Sequence, residues 1–130
     1  MSARTDIAAW PAPTVRVERD RVIVRIDVPD GCHIQSHTPR EPFLIPTVIE
    51  FDDVDGVELG TPIYPEAEVE RFEWTPIELD IYRGTVEVVV PFTAAPVVAR
   101  GGFARGSVRY QGCTETLCLP PVSHPIAFQR

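Results

Sequence analysis

The stretch "RVIVRIDVPDG", Arg21 to Gly31, decides the fold class. Val22, Val24, Ile26 and Val28 recur at every second position, Arg21, Arg25 and Asp27 stand among the residues between them, and Pro29-Asp30-Gly31 closes the run as a turn. A period of two belongs to a strand with one face buried and the other in water. Upstream, "TVRVERD" sets Val15 and Val17 on one face, and Arg19-Asp20 can close a hairpin onto the longer strand. Downstream, "FLIPTVIEF" reads as a strand with a proline near its start, ended by an acidic turn from Asp52 to Gly56. "PIELDIY" and "TVEVVVPF" each alternate and are joined by Arg83-Gly84, a hairpin signal, while "GSVRYQGC" and "CLPPVSHPIAF" make the last pair.

These segments predict seven to nine short strands, and no segment carries an apolar stripe of period 3.6. The 14 prolines are dispersed and break the chain into pieces too short for long helices. The expectation is an all-β, immunoglobulin-like antiparallel sandwich. Gly60 to Glu70, the longest part without alternation, is expected as a loop over one end. At 130 residues the chain fits a single domain, 1–130, large enough to bury a core without help from a disulfide, with 1–13 expected as an extended or poorly ordered N-terminal segment.

Composition narrows the function classes. A net charge of -7 disfavours nucleic acid and anionic membrane surfaces, which need clustered basic side chains. All basic residues are Arg, so lysine Schiff-base chemistry is excluded. The first thirty residues contain no apolar core of a signal peptide, which leaves a cytoplasmic protein or a mature segment as the expectation, and no stretch approaches a membrane span.

The chemistry concentrates in "YQGCTETLC", Tyr110 to Cys118. If the flanking segments pair as neighbouring strands, Thr114 to Leu117 form a four-residue loop and the two cysteines face each other at a separation a disulfide can span. As a staple the bond would be poorly placed, since closing a loop of about six residues contributes only about 2 kcal/mol on the chain-entropy model. Redox exchange, a structural bridge and metal binding all remain open on the residues alone. Glu115 in the loop opposes thiolate formation; His124 stands near enough in sequence to assist Cys118, although a histidine between Ser123 and Pro125 is more often a solvated loop residue.

"VRYQGCTETLCLPP" resembles the end of the N-terminal periplasmic domain of the thiol:disulfide interchange protein DsbD family. "VPDGCHIQSHTPREPFLIPT" is similar to that family's Gly-aromatic-His-Ile-x-Ser strand, and "IELDIYRGTVEVVVPF" to its Ile-Tyr hairpin, so the likeness runs from about Val15 to Phe128. The resemblance implies an immunoglobulin-like fold and a reversible Cys113–Cys118 disulfide carrying electrons between thioredoxin-fold proteins or domains, a membrane reductase domain among them. It implies further that Cys118 forms mixed disulfides with partners and Cys113 resolves them. A cap loop around Ile63 to Ala67, bearing Tyr64 and Glu66, would shield the pair, with Tyr110, Gln111 and Pro120 supporting it. It implies a periplasmic setting and no cofactor. Two departures stand out: the loop between the cysteines is one residue shorter than the family's usual one, and Cys32 takes the place of the aromatic.

Cys32, His33, His37, Cys113, Cys118 and His124 are also the raw material of a zinc or copper site. Alternation puts His33 and His37 on one face and Cys32 on the other, so a joint site is awkward and no metal is expected. Cys32 alone reads as a small buried hydrophobe. Glu66, Glu68, Glu70 and Glu73 read as a solvated face.

Overall fold

A computed structural model of the chain describes residues 10–94 and 102–129. Among them there is no helix. The strands are β1 (Thr14–Val17), β2 (Arg21–Asp27), β3 (His33–Gln35), β4 (Val48–Asp55), β5 (Val57–Leu59), β6 (Glu68–Arg71), β7 (Glu78–Tyr82), β8 (Thr85–Ala94), β9 (Phe103–Tyr110), β10 (Gly112–Cys113) and β11 (Val122–Gln129). All pairings are antiparallel, in the orders β1-β2-β8-β5, β10-β3-β7-β6 and β11-β9-β4. The eleven strands exceed the seven to nine expected because β3, β5 and β10 hold three residues or fewer, too few for alternation to show.

The alternation of β2 places Val22, Val24 and Ile26 in the interior, opposite Val86, Val88 and Val90 of β8. Ile34, Ile49, Tyr82, Val108, Tyr110, Ile126 and Phe128 complete that core from the other two sheets. Cys32 is buried in it as well. Burying a Val or Ile side chain contributes about 1.5–3 kcal/mol, so this interior dominates stability. A smaller cluster of Phe72, Leu79 and Ile81, with Leu44 and Ile77 against it, covers the opposite face of β7.

Several segments differ from their sequence reading. Arg83-Gly84 does not close a hairpin: β7 pairs with β3 and β6, whereas β8 pairs with β2 and β5, so the chain arches from one sheet to another. Gly84 has a φ of 66°, open to glycine without strain, and its carbonyl accepts the Val28 amide at 2.9 Å. The acidic run Asp52 to Asp55 continues β4 rather than turning, because it keeps its ladder with β9 through a register shift between Phe51 and Asp53. Gly60 to Glu70 is partly strand: Ile63 bridges Val89, and Glu68 opens β6. Of the expected N-terminal segment, residues 1–9 lie outside the described residues, and Trp10 is buried, stacked on Tyr110 at 6.2 Å.

Candidate functional site

The site begins where the chain changes sheets. Tyr110 ends β9 opposite Val122, and two residues later Gly112 and Cys113 pair with Ile34 and His33 of β3. Gln111 sits at this crossing and donates its side-chain N–H to the Leu119 carbonyl at 3.0 Å, tying the outgoing strand to the returning one. The Leu119 amide donates to Gly112 O at 2.8 Å, and the Thr114 amide donates to Leu117 O at 2.8 Å. Those two bonds bracket Cys113 and Cys118 as a non-hydrogen-bonded antiparallel pair, the closer of the two kinds. Their Cα atoms stand 4.0 Å apart and a disulfide joins them.

The loop between them is held from within. Thr114 Oγ1 accepts the amides of Thr116 and Leu117 at 3.3 and 3.2 Å, doing for the turn what a backbone carbonyl would do in a longer one. Glu115, Thr116, Leu117 and Cys118 are all exposed. Cys113 has no exposed surface at all. One sulfur-bearing residue thus faces water while its partner is sealed into the protein.

Beneath Cys113 lies one face of β3. His33 is the residue directly opposite it across the ladder, and Gln35 follows on the same face. Both are buried, at 1% and 0% exposure. His33 stacks on Phe72 at 4.5 Å between ring centres, and Phe72 in turn stacks on Trp74 at 5.9 Å. Burial, reinforced by the positive charge of Arg83, lowers the His33 pKa to about 4, so the ring is neutral at physiological pH. Arg83 is itself engaged by Glu68 at 3.7 Å and Glu70 at 3.4 Å. The turn after β6 and the cysteine loop together line an open cleft of about 520 Å³, bounded by Phe72, Trp74, Arg71, Arg83, Glu73 and Glu115 among others.

Of the residues singled out in the sequence, Cys113 and Cys118 are brought together. Tyr110 is fully buried in the main core, where burial pushes its phenol pKa up, and Pro120 is exposed just beyond the hairpin. Tyr64 stacks on His37 at 3.7 Å, and its hydroxyl oxygen accepts the Ile49 amide at 3.0 Å. His37 lies beyond the end of β3 away from His33, and Glu66 is exposed; the aromatics beside the cysteine loop are Phe72 and Trp74. His124 stacks on Tyr110 at 5.8 Å. Each histidine is therefore laid on a different aromatic ring, and among the described residues no three His, Cys, Asp or Glu side chains gather into a metal site. Sequence reading missed Gln35, Phe72, Trp74 and Arg83, although the period-two placement of His33 and Gln35 in "CHIQS" could have flagged their shared face.

Three comparisons bear on this geometry. The family model described as thiol:disulfide interchange protein DsbD, N-terminal, matches residues 5–129. Among solved structures, the reduced-form crystal structure of the Neisseria meningitidis DsbD N-terminal domain aligns with a TM-score of 0.55 at 20% identity, covering 90% of this chain and 87% of that one, a likeness of fold. No match is found among the curated proteins. With its all-β sandwich and its hairpin disulfide, the chain belongs to the DsbD N-terminal family, whose business is thiol–disulfide exchange.

Proposed function

We propose that the domain is an electron carrier that passes reducing equivalents between thioredoxin-fold proteins through the Cys113–Cys118 pair. The observation that carries this is the unequal burial of the two cysteines: Cys118 is exposed on the hairpin and Cys113 is sealed beneath it. Thiol–disulfide exchange is an in-line displacement, so the attacked sulfur must be reachable from outside. Cys118 is the sulfur a partner thiolate attacks. The bond to Cys113 breaks, Cys113 leaves with the electron pair, and a mixed disulfide joins Cys118 to the partner. A second partner thiolate then attacks the partner's own sulfur and releases Cys118, leaving the domain reduced by two electrons. Delivery to an acceptor runs through the same steps reversed, with Cys113 resolving the mixed disulfide.

Phe72 and Trp74, beside the cysteine loop, are the shield in this reading, in place of the Tyr64 and Glu66 the sequence suggested. Tyr110 and Gln111 support the pair from the core and from the crossing, and Pro120 helps direct the returning strand. We place the exchange in the periplasm, the family's compartment, with no cofactor.

The test is trapping. Reduced Cys113→Ala protein mixed with a thioredoxin-fold protein that keeps only its attacking active-site cysteine, activated as a mixed disulfide with a small aromatic thiol, is expected to give a covalent adduct on a non-reducing gel that Cys118→Ala does not give. Absence of an adduct from both variants, together with a wild-type bond that stays closed in buffers well below about −300 mV, would leave only a structural bridge.

A further inference from the structure

Among the described residues, four buried side-chain polar atoms have no hydrogen-bond partner: Trp10 Nε1, His33 Nε2, and both amide atoms of Gln35. Three of the four lie on the face of β3 that Cys113 shares. Neighbouring buried polar groups are not treated this way. Thr47 donates to the Gln35 carbonyl at 2.6 Å, and Ser36 Oγ accepts the Thr38 amide at 3.1 Å. A buried polar atom left unpaired costs about 1–3 kcal/mol, so a cluster of them beside a disulfide calls for a state in which the cost is relieved.

Reduction creates that state. In the disulfide neither sulfur can donate a hydrogen bond; once the bond is opened, Cys113 acquires an S–H in a place water does not reach. Its directly opposed cross-strand neighbour is His33, and such neighbours have Cβ atoms about 4.5–5.5 Å apart. We infer that His33 Nε2 accepts the thiol proton of Cys113 in the dithiol form, making His33 a positioning residue that stabilises the reduced pair. When the partner thiolate attacks Cys118, the departing Cys113 sulfur takes the electron pair and one of the two protons that the partner's dithiol gives up as it is oxidised, and that proton is shared with the neutral ring. No other oxidant or reductant enters. His33 is held for this task by its stacking on Phe72, and it stays uncharged beside Arg83, whose own charge is met by Glu68 and Glu70. Gln35, one step further along the same face, reaches Cys113 only diagonally and contributes less.

The inference rests on the pair being a reversible exchange site, and the experiment separates the two. Full-length wild-type, His33→Phe and Gln35→Leu proteins are equilibrated in graded dithiothreitol buffers, and the reduced fraction is read by thiol alkylation and mass. His33→Phe keeps the ring stack but removes the acceptor. It is expected to make reduction about tenfold less favourable, a midpoint about 30 mV more negative, while Gln35→Leu changes the equilibrium by less than about threefold. A His33→Phe midpoint within about twofold of wild type overturns the inference, as does a Gln35→Leu effect of equal size. Should His33→Phe fail to fold, the imidazole ¹⁵N spectrum of wild type decides: the Nε2 resonance moves on reduction if it gains a hydrogen bond, and an unchanged resonance is fatal. Exchange with thioredoxin-fold proteins can fail while this midpoint shift is still read; a pair that no excess of dithiothreitol opens sinks both.

Discussion

Ile34 and its two neighbours on β3, His33 and Gln35, are all essentially inaccessible to water, yet the strand's two faces meet opposite surroundings. Ile34 points into the main core among valines and aromatics, where nothing needs a hydrogen bond. His33 and Gln35 point the other way, with polar atoms unmatched and a redox-capable cysteine opposite. Equal burial therefore does not mean equal purpose: one face lowers the free energy of folding, and the other gives up part of that gain beside the disulfide. The contrast also explains how a three-residue strand keeps its place, since the dry face fixes the register that the polar face depends on.

Substitutions can sharpen or break this contrast. The largest effect is expected on the dry side: Ile34→Ala should cost about 3–4 kcal/mol in urea unfolding through the cavity it leaves, with the redox midpoint unmoved in whatever remains folded. A moved midpoint would mean the two faces are not separable. On the polar side the effect is expected in pH rather than in denaturant. His33 titrates near 4 in the folded protein against 6.5 when unfolded, so the unfolded chain takes up the proton first. Stability is then whole above pH 6.5 and falls as pH drops towards 4, by up to about 3 kcal/mol, and His33→Phe should flatten that part of the curve. A curve of unchanged slope in the variant would assign the acid sensitivity elsewhere.

Smaller changes probe the edges of the comparison. Thr114→Val removes the acceptor for two loop amides and should lower the melting temperature by about 4 °C, corresponding to about 1 kcal/mol. Smallest is Tyr64→Phe, which loses only the acceptor for the Ile49 amide; below about 1 kcal/mol of stability is expected, with alkylation of reduced Cys118 at its wild-type rate. Faster alkylation in that variant would return Tyr64 to the role of shield.

How far the sequence could be read follows from what each residue reports. The strand content of β2, β8, β9 and β11 was readable because their side chains answer to a single local question, which face is dry. Cys113 and Cys118 were readable as a pair for a similar reason, being close in sequence across one turn. Gly84 was not, because a glycine with positive φ serves a hairpin and an arch equally well, and only the competition for partners between β2 and β3 decides between them. Phe72 and Trp74 were missed because they lie about forty residues before the cysteines, with nothing local to say that β6 delivers them to the same end of the molecule. Tyr64 takes the shielding role from the resemblance, by position, and nothing local to it in the sequence says that its ring stacks on His37.

β10 is two residues long and lies at the margin of its sheet, where an exposed strand ordinarily invites a foreign polypeptide to add itself by backbone pairing. Here that invitation is narrowed. The Gly112 carbonyl and the Thr114 amide are already spent on Leu119 and Leu117, so an approaching chain cannot pair with those two groups. The residue that stands exposed there is Cys118. In the exchange reading proposed above, recognition at this margin is transient, since the strongest bond on offer is one that the next thiol can undo.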